Sequence, residues 1–336
     1  MARRFVKQLA DGESIEEVFL VGDKQLRPNR NGNHYLQVDL RDRTGNIIAR
    51  LWNASDVHFR AFEAGDFLFI KGKVQLYQGA LQIILSHFQK HEAQNAELTD
   101  FLPHTEHDVN KLLEKLRGSL RKFASPHLKA LAECFLIDAD LMRAFAQVPA
   151  GVRNHHAYVG GLLEHVVNML EVAERIAPNY PNVDRDLLSM GIFLHDIGKT
   201  RELTCGKGFT YTDEGQLTGH IVLGVEMLNE KVTKASELTG EPFPRELLLR
   251  LKHMIISHHG ELVFGSPVVP MTPEAIALHY LDNLDAKSNT FVREIREDHN
   301  TTTSWTQYSQ TLGRRLYKGG NGSNSGESEV EPIGAE

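Results

Sequence analysis

Tyr35-Leu36-Gln37-Val38-Asp39-Leu40-Arg41-Asp42-Arg43-Thr44-Gly45 settles how the first third of the chain is read. Leu36, Val38 and Leu40 alternate with Tyr35, Gln37, Asp39 and Arg41. This period of two turns one face of a strand toward a core and the other toward water. Asp42 to Gly45 has turn chemistry and leads into another strand, Asn46 to Trp52. The same strand-like pattern holds from about Ile15 to Phe88, broken by a short helical stretch around Ser55 to Phe62. Gly65-Asp66 opens a long strand through Tyr77, and Gln78-Gly79 turns it into a last strand ending near Phe88.

Five strands with a helix between the third and fourth is the element order of an OB-fold, a small Greek-key barrel that often binds oligonucleotides. Residues 1–90 are therefore expected to form this barrel. His91 to Glu106 is polar and weakly patterned, as suits a linker over 91–106. Beyond it Leu112, Leu113, Leu116 and Leu120 recur at helical spacing, as do Leu162, Val166, Leu170 and Ala173. Pro149, Pro178, Pro181, Pro242, Pro244, Pro267, Pro270 and Pro273 fall between the expected helices. The expected fold is thus a five-stranded OB barrel followed by an all-α domain over 107–300. A tail over 301–336 is Gly/Ser/Glu-rich from about Lys318 and reads as disordered there.

A chain of 336 residues suits two domains, and 41% hydrophobic with 24% charged residues is the composition of a globular protein. The formal charge of −7 argues against coating nucleic acid by bulk electrostatics. That charge is uneven: residues 1–90 carry 13 Lys and Arg against 10 Asp and Glu, leaving the acidic excess to the rest. Two distant cysteines, Cys134 and Cys205, have neither zinc-knuckle nor redox spacing and point to a reducing compartment. No apolar run of signal or membrane-spanning length follows Met1-Ala2-Arg3-Arg4, so a cytoplasmic location without membrane attachment is expected.

Ten of the 17 histidines lie between His155 and His299, which concentrates one ligand chemistry in the helical part. At their centre is Phe193-Leu194-His195-Asp196-Ile197-Gly198-Lys199, accompanied by His165, His220, His258-His259 and Asp282. Imidazoles and carboxylates without thiolates suit Mn²⁺, Fe²⁺, Co²⁺ or Zn²⁺ in a reactive site rather than a structural zinc cage. A single carboxylate can bridge two ions about 3.5–4 Å apart that activate water and clamp a phosphodiester. Asp196 is the candidate bridge. Lys199, three and four residues beyond Asp196 and His195, shares their helical face and is positioned to touch a phosphate oxygen.

This ordered set, spanning nearly all of residues 155–285, resembles the HD superfamily of metal-dependent phosphohydrolases. The resemblance implies that His165, His195, Asp196 and Asp282 hold one ion. It also implies that His220 and His258, with His259, hold a second ion sharing Asp196. The barrel followed by HHAYVGGLLEH, FLHDIGK, SHHG and LHYLDNLDAK is similar to the YhaM family of bacterial 3′→5′ exoribonucleases from about residue 15 to 300. That likeness implies one or two divalent ions per chain, Mn²⁺ first, and a substrate of single-stranded RNA, with single-stranded DNA also accepted. A homo-oligomer stays open.

On the barrel, Tyr35 and Arg41 alternate against the apolar set; Arg50 shares a face with Trp52, and Lys71, Lys73 and Tyr77 share another. Basic residues interleaved with aromatics suit sequence-tolerant single-strand binding. Two competing readings keep parts of this picture. An HD-type nucleotide phosphohydrolase or cyclic-dinucleotide phosphodiesterase would use the same ions, but residues 260–267 lack a GYP signature, and such an enzyme needs no barrel. A non-catalytic nucleic-acid-binding regulator would be expected to have lost ligands, and the set is complete.

Overall fold

A computed structural model of the chain describes residues 3–28, 32–77, 79–92, 100–152, 155–205, 208–298, 300, 303–310 and 312–319. Two compact units result, residues 1–286 and residues 287–336. Part of the expected linker, 93–99, and the expected loose tail from 320 onward lie outside the described residues.

The first unit opens with a closed five-stranded barrel, the OB-fold. Its strands are β1 (Ser14–Pro28), β2 (His34–Asp42), β3 (Gly45–Trp52), β4 (Phe67–Tyr77) and β5 (Ala80–His91), with a short helix α1 (Asp56–Arg60) between β3 and β4. The strand order is β1-β2-β3-β5-β4, and only the β3–β5 pairing is parallel. Leu36 pairs with Leu51, Val38 with Ala49 and Leu40 with Ile47, so the alternation of β2 is answered residue for residue by β3. Leu36, Val38, Leu40, Ala49, Ile70, Val74 and Ile83 are fully buried in the interior. Each large aliphatic side chain so buried contributes about 1.5–3 kcal/mol.

A register shift opposite Lys71/Gly72 changes the parity of β5. Ile83 and Leu85 point inward before it, and Phe88 packs inward after it, 5.3 Å ring to ring from Phe62. Glycine is required at 72 because a Cβ there would stand 2.6 Å from the Ile84 carbonyl oxygen.

The helical part contains α2 (Val109–Arg121), α3 (Pro126–Leu136), α4 (Ala139–Phe145), α5 (Gly161–Ile176), α6 (Arg185–Leu194), α7 (Lys199–Glu202), α8 (Asp213–Thr239), α9 (Arg245–Ser257) and α10 (Pro273–Glu297). A small hairpin, β6 (Leu203–Cys205) with β7 (Phe209–Tyr211), follows α7. The Asp108 carboxylate caps α2 by accepting from the amides of Asn110 and Lys111. Leu112, Leu116 and Leu120 on α2 and Leu162, Val166 and Leu170 on α5 are buried in one core, with Phe193 edge-on to Phe135.

Leu20 and Phe67 on the outside of the barrel are buried against Phe101 and Leu102, with the Phe67 and Phe101 rings 4.6 Å apart. The chain then pairs with the lead-in to α5. Thr105 donates its amide to the Val159 carbonyl at 2.9 Å, and Val159 donates to the Pro103 carbonyl at 2.8 Å. Among the described residues no helix is long and apolar enough to cross a membrane.

In the second unit, residues 303–310 and 312–319 form a short antiparallel loop pair. Trp305 bridges to Tyr317 and Ser309 to Arg314, and Thr306 donates its amide to the Leu316 carbonyl at 2.9 Å. Thr306, Ser309 and Leu316 are buried within it.

Candidate metal centre and nucleic-acid face

Five elements bring the histidines and aspartates together. His165 stands on α5, His195 caps the C-terminus of α6 with Asp196 next to it, His220 stands on α8, His258 ends α9, and Asp282 lies on α10. Their convergence depends on a close backbone approach. A Cβ on Gly198 would stand 2.0 Å from the His220 carbonyl oxygen, so only glycine lets the turn after Asp196 meet α8. Within α8, Gly219 adopts φ 74°, ψ 157° and breaks the helix beside His220.

Asp196 stands between two groups of imidazoles. Its Oδ2 is 3.3 Å from His195 Nε2, while its Oδ1 is 3.5 Å from His220 Nε2 and 3.6 Å from His258 Nε2. His165 Nε2 is 3.3 Å from Asp282 Oδ1. Ligand atoms of His165, His195 and Asp196 lie within 4.8 Å of one another, as do those of His220, His258 and His259.

The outer ring nitrogens set the tautomers. His195 Nδ1 lies 2.7 Å from the Ile192 carbonyl and His258 Nδ1 2.7 Å from the Ile255 carbonyl. A carbonyl only accepts, so each Nδ1 carries the proton and each Nε2 keeps a lone pair for the centre. His165 Nδ1 contacts Asp285 Oδ2 at 2.7 Å, and His220 Nδ1 faces Glu202 Oε1 at 3.2 Å. Carboxylates or carbonyls behind ligating histidines are the usual support of a metal site.

Their inner atoms are left without partners. His165 Nε2, His195 Nε2, Asp196 Oδ1, His220 Nε2 and His259 Nδ1 are buried and make no hydrogen bond. Each such group costs about 1–3 kcal/mol in a folded chain. Five on converging side chains, with the other polar atoms of His165, His195, Asp196 and His220 tied back, fit one or two divalent cations, and the absence of thiolate suits the borderline ions.

The charges agree with this fit. Burial opposes ionisation of Asp196, yet the Lys199 ammonium beside it holds its carboxyl well below the usual carboxylate range. Burial drives His258 well below its usual value, keeping the ring neutral. Lys199 is itself buried, with Nζ 2.6 Å from Asp196 Oδ2 and also donating to the Ala150 carbonyl.

Reading the sequence left the role of His156 open and missed two further supporting residues, Asp285 and Glu202. Asp285 takes both His165 Nδ1 and His156 Nε2, each at 2.7 Å. His156 is buried at φ +47° and passes its other nitrogen to the Tyr158 hydroxyl at 2.6 Å. Glu202 accepts from the His220 amide at 3.0 Å. The signal for Asp285 was its place three residues after Asp282, on the same helical face. His279 supports the centre from α10, its Nδ1 2.9 Å from the His258 carbonyl oxygen.

On the barrel, five of the seven face residues form one patch. Tyr35 pairs with Trp52 across β2 and β3, ring centroids 5.2 Å apart, and the Arg50 guanidinium lies 6.0 Å from the Tyr77 ring. Trp52 is 47% exposed and Tyr77 52%, so neither caps the barrel core. Lys73 is exposed on β4; through Ile84 it lies across the sheet from Arg50. Arg41 and Lys71 are engaged elsewhere, in ion pairs with Asp39 at 2.5 Å and Glu16 at 2.9 Å. Phe67, on the same strand face as Lys71, is covered by Phe101.

Comparison with known proteins agrees with both halves. Residues 162–287 match the HD domain family, and residues 18–90 match the OB-fold nucleic acid binding domain family. The chain is 37% identical to the 3′-5′ exoribonuclease YhaM of Bacillus velezensis over 277 residues, 82% of this chain and 86% of that protein. It is 35% identical to the protein of that name in Bacillus subtilis over 285 residues, 84% of this chain and 88% of the relative. For the one in Geobacillus sp. the identity is 34% over 287 residues, 85% and 86% of the two chains.

Proposed function

This chain belongs to the YhaM family of 3′-5′ exoribonucleases, and on that ground we propose that it shortens single-stranded RNA, and single-stranded DNA by the same contacts, at the centre around Asp196. The observation that carries the assignment is the set of five buried, partnerless atoms on His165, His195, Asp196, His220 and His259. His165, His195, Asp196 and Asp282 would hold one divalent cation, and Asp196 with His220, His258 and His259 a second. Mn²⁺ is the proposed ion, with Co²⁺, Fe²⁺ and Zn²⁺ compatible with the same donors.

When bound, the cations supply Lewis acidity to the phosphodiester and lower the pKa of the attacking water. The chain's own residues position the rest. Asp285, the Ile192 carbonyl and the Ile255 carbonyl fix the rings of His165, His195 and His258. Lys199 orients Asp196 and balances its charge from a buried position. The patch of Tyr35, Arg50, Trp52, Lys73 and Tyr77 holds the strand by stacking and phosphate contact. Arg41 and Lys71 add charge once released from Asp39 and Glu16. The reducing environment suggested by two free cysteines supports action in the cytoplasm.

Incubating the protein with Mn²⁺ and 5′-labelled single-stranded RNA tests the reading. A ladder of progressively shorter labelled products is expected. An intact strand beside hydrolysis of small nucleotides would replace it with an HD-type nucleotide phosphohydrolase.

A further inference from the structure

The second compact unit carries a feature that neither family match reaches, since the later of the two ends at residue 287. Trp305, Tyr308 and Tyr317 are 49%, 60% and 58% exposed. Trp305 and Tyr317 are bridge partners with ring centroids 5.2 Å apart at 59°, so the two rings form one aromatic surface. Tyr308 sits over the turn at Gly313, whose φ is +65°. Arg314 and Arg315, both exposed, follow that turn.

Charge separates this segment from the rest of the chain. The protein carries −7 overall, yet residues 300–319 contain Arg314, Arg315 and Lys318 and no Asp or Glu. Lys318 is structural, tied to Asp298 Oδ2 at 2.8 Å, which leaves the two arginines as the exposed charge.

The aromatic surface is fixed rather than trailing. The Asn300 side-chain amide and the Thr303 hydroxyl both donate to the Trp305 carbonyl at 3.0 Å. Lys318 donates its amide to the Ser304 carbonyl at 2.8 Å. Large exposed aromatics held by buried neighbours mark an interaction surface. Fixing them beforehand lowers the ordering cost of binding.

We propose that Trp305, Tyr308 and Tyr317 with Arg314 and Arg315 form a second binding site for single-stranded RNA, built from residues other than those of the barrel face. Bases stack on the Trp305–Tyr317 pair, and the arginines take phosphates bidentately. An anionic polymer of π-faced bases matches both halves of the surface, a cationic strip without acids and an aromatic pair. The proposal rests on the reading of the chain as an exoribonuclease.

The test uses the full chain carrying Asp196→Asn, so that the strand is not shortened during measurement. Anisotropy of a fluorescein-labelled oligouridylate reports affinity. Trp305→Ala with Tyr317→Ala is expected to raise Kd about tenfold or more, the loss of one stacked base. Trp305→Phe with Tyr317→Phe keeps the ring faces and is expected to retain most of the affinity. Arg314→Ala with Arg315→Ala is expected to lower the slope of log affinity against log salt by about 1.4, roughly 0.7 for each single-strand phosphate that an arginine no longer neutralises.

A spectroscopic readout is independent of affinity. Trp52 and Trp305 are the two tryptophans, so Trp52→Phe leaves Trp305 as the sole tryptophan, and added oligouridylate should quench its emission. Unaltered Kd, salt slope and Trp305 emission in a protein that does shorten RNA would overturn the site and leave the exoribonuclease reading intact. A fall in sedimentation coefficient in the alanine pair with unchanged RNA affinity would overturn it in favour of contact between copies of the chain. A wild-type protein that shortens no RNA would remove the reading on which the site rests.

Discussion

Lys199 Nζ stands 2.6 Å from Asp196 Oδ2, with both side chains buried. The carboxylate at the middle of the histidine clusters is thus held by a lysine one helical turn away. This contact separates two roles that Lys199 alone could have, orienting Asp196 or merely filling space.

If Lys199 orients Asp196 and balances its charge, Lys199→Met should lower kcat on RNA by about 10–100-fold, the usual cost of removing support behind a metal ligand. KM should change less, because the contact acts on the reacting centre. Steady-state kinetics in saturating Mn²⁺ measure both. A wild-type kcat in Lys199→Met would return the residue to packing.

Asp196→Ala should abolish turnover with Mn²⁺ and Co²⁺ alike, since both oxygens of that carboxylate face histidines. His220→Ala removes one donor from one cluster and should cost about one bound ion per chain in a two-ion site. Elemental analysis of dialysed protein reads the difference, with circular dichroism to confirm the fold. Full metal content and activity in Asp196→Ala would sink the site assignment.

Asp285→Asn is the test of a residue the motif did not reveal. The amide keeps the shape but loses the charge that holds His165 and His156. Metal affinity or activity should fall by about 10–100-fold. A Mn²⁺ titration of activity that superimposes on wild type would show that Asp285 does nothing for the centre.

Proton release should accompany metal uptake. Without a cation, burial opposes protonation of His165, but Asp282 and Asp285 outweigh it and hold its pKa up at about 9. Only the neutral ring binds a cation, so uptake at neutral pH expels a proton, and Mn²⁺ affinity should rise with pH until about 9. Stability of the metal-free chain depends on the same proton. A pKa raised above the ordinary 6.5 contributes stability fully below that value and loses it as pH climbs through about 9. The metal-free chain should therefore lose melting temperature across that interval. Calorimetric titration in two buffers of different ionisation enthalpy measures the proton, and identical apparent enthalpies would contradict it.

The barrel should be probed by point substitution rather than by cutting near residue 100. Phe101 and Leu102 are 2% and 6% exposed against Leu20 and Phe67, and a fragment starting at Asp100 would open that contact to water. Losing it costs about 1.5–3 kcal/mol per large side chain, enough to lower the melting temperature of the fragment. Trp52→Ala with Tyr77→Ala leaves the junction alone and should raise Kd for single-stranded RNA by roughly 10-fold or more. Unchanged RNA affinity in that pair would move the grip elsewhere.

The fold of each half was legible in the order of residues, and so was the candidate set at the centre. Alternation in β2 and heptad-like recurrence in α2 and α5 are local periodicities, and burial follows from them wherever the element packs. His165, His195, Asp196, His220, His258, His259 and Asp282 could be singled out as a converging set because they are rare donor types in an ordered occurrence that stands out without a structure. The remaining assignments came only with the folded chain. Asp285, His156 and Glu202 act across 129, 120 or 18 residues of chain, and a hydrogen bond over such a separation has no local pattern. Lys199 read as a phosphate contact, and only packing showed it buried on Asp196. Arg41 and Lys71 share strand faces with the aromatics, but pairing with Asp39 and Glu16 sets them apart. Trp305 and Tyr317, 12 positions apart, became one surface only through a bridge that closes the chain upon itself.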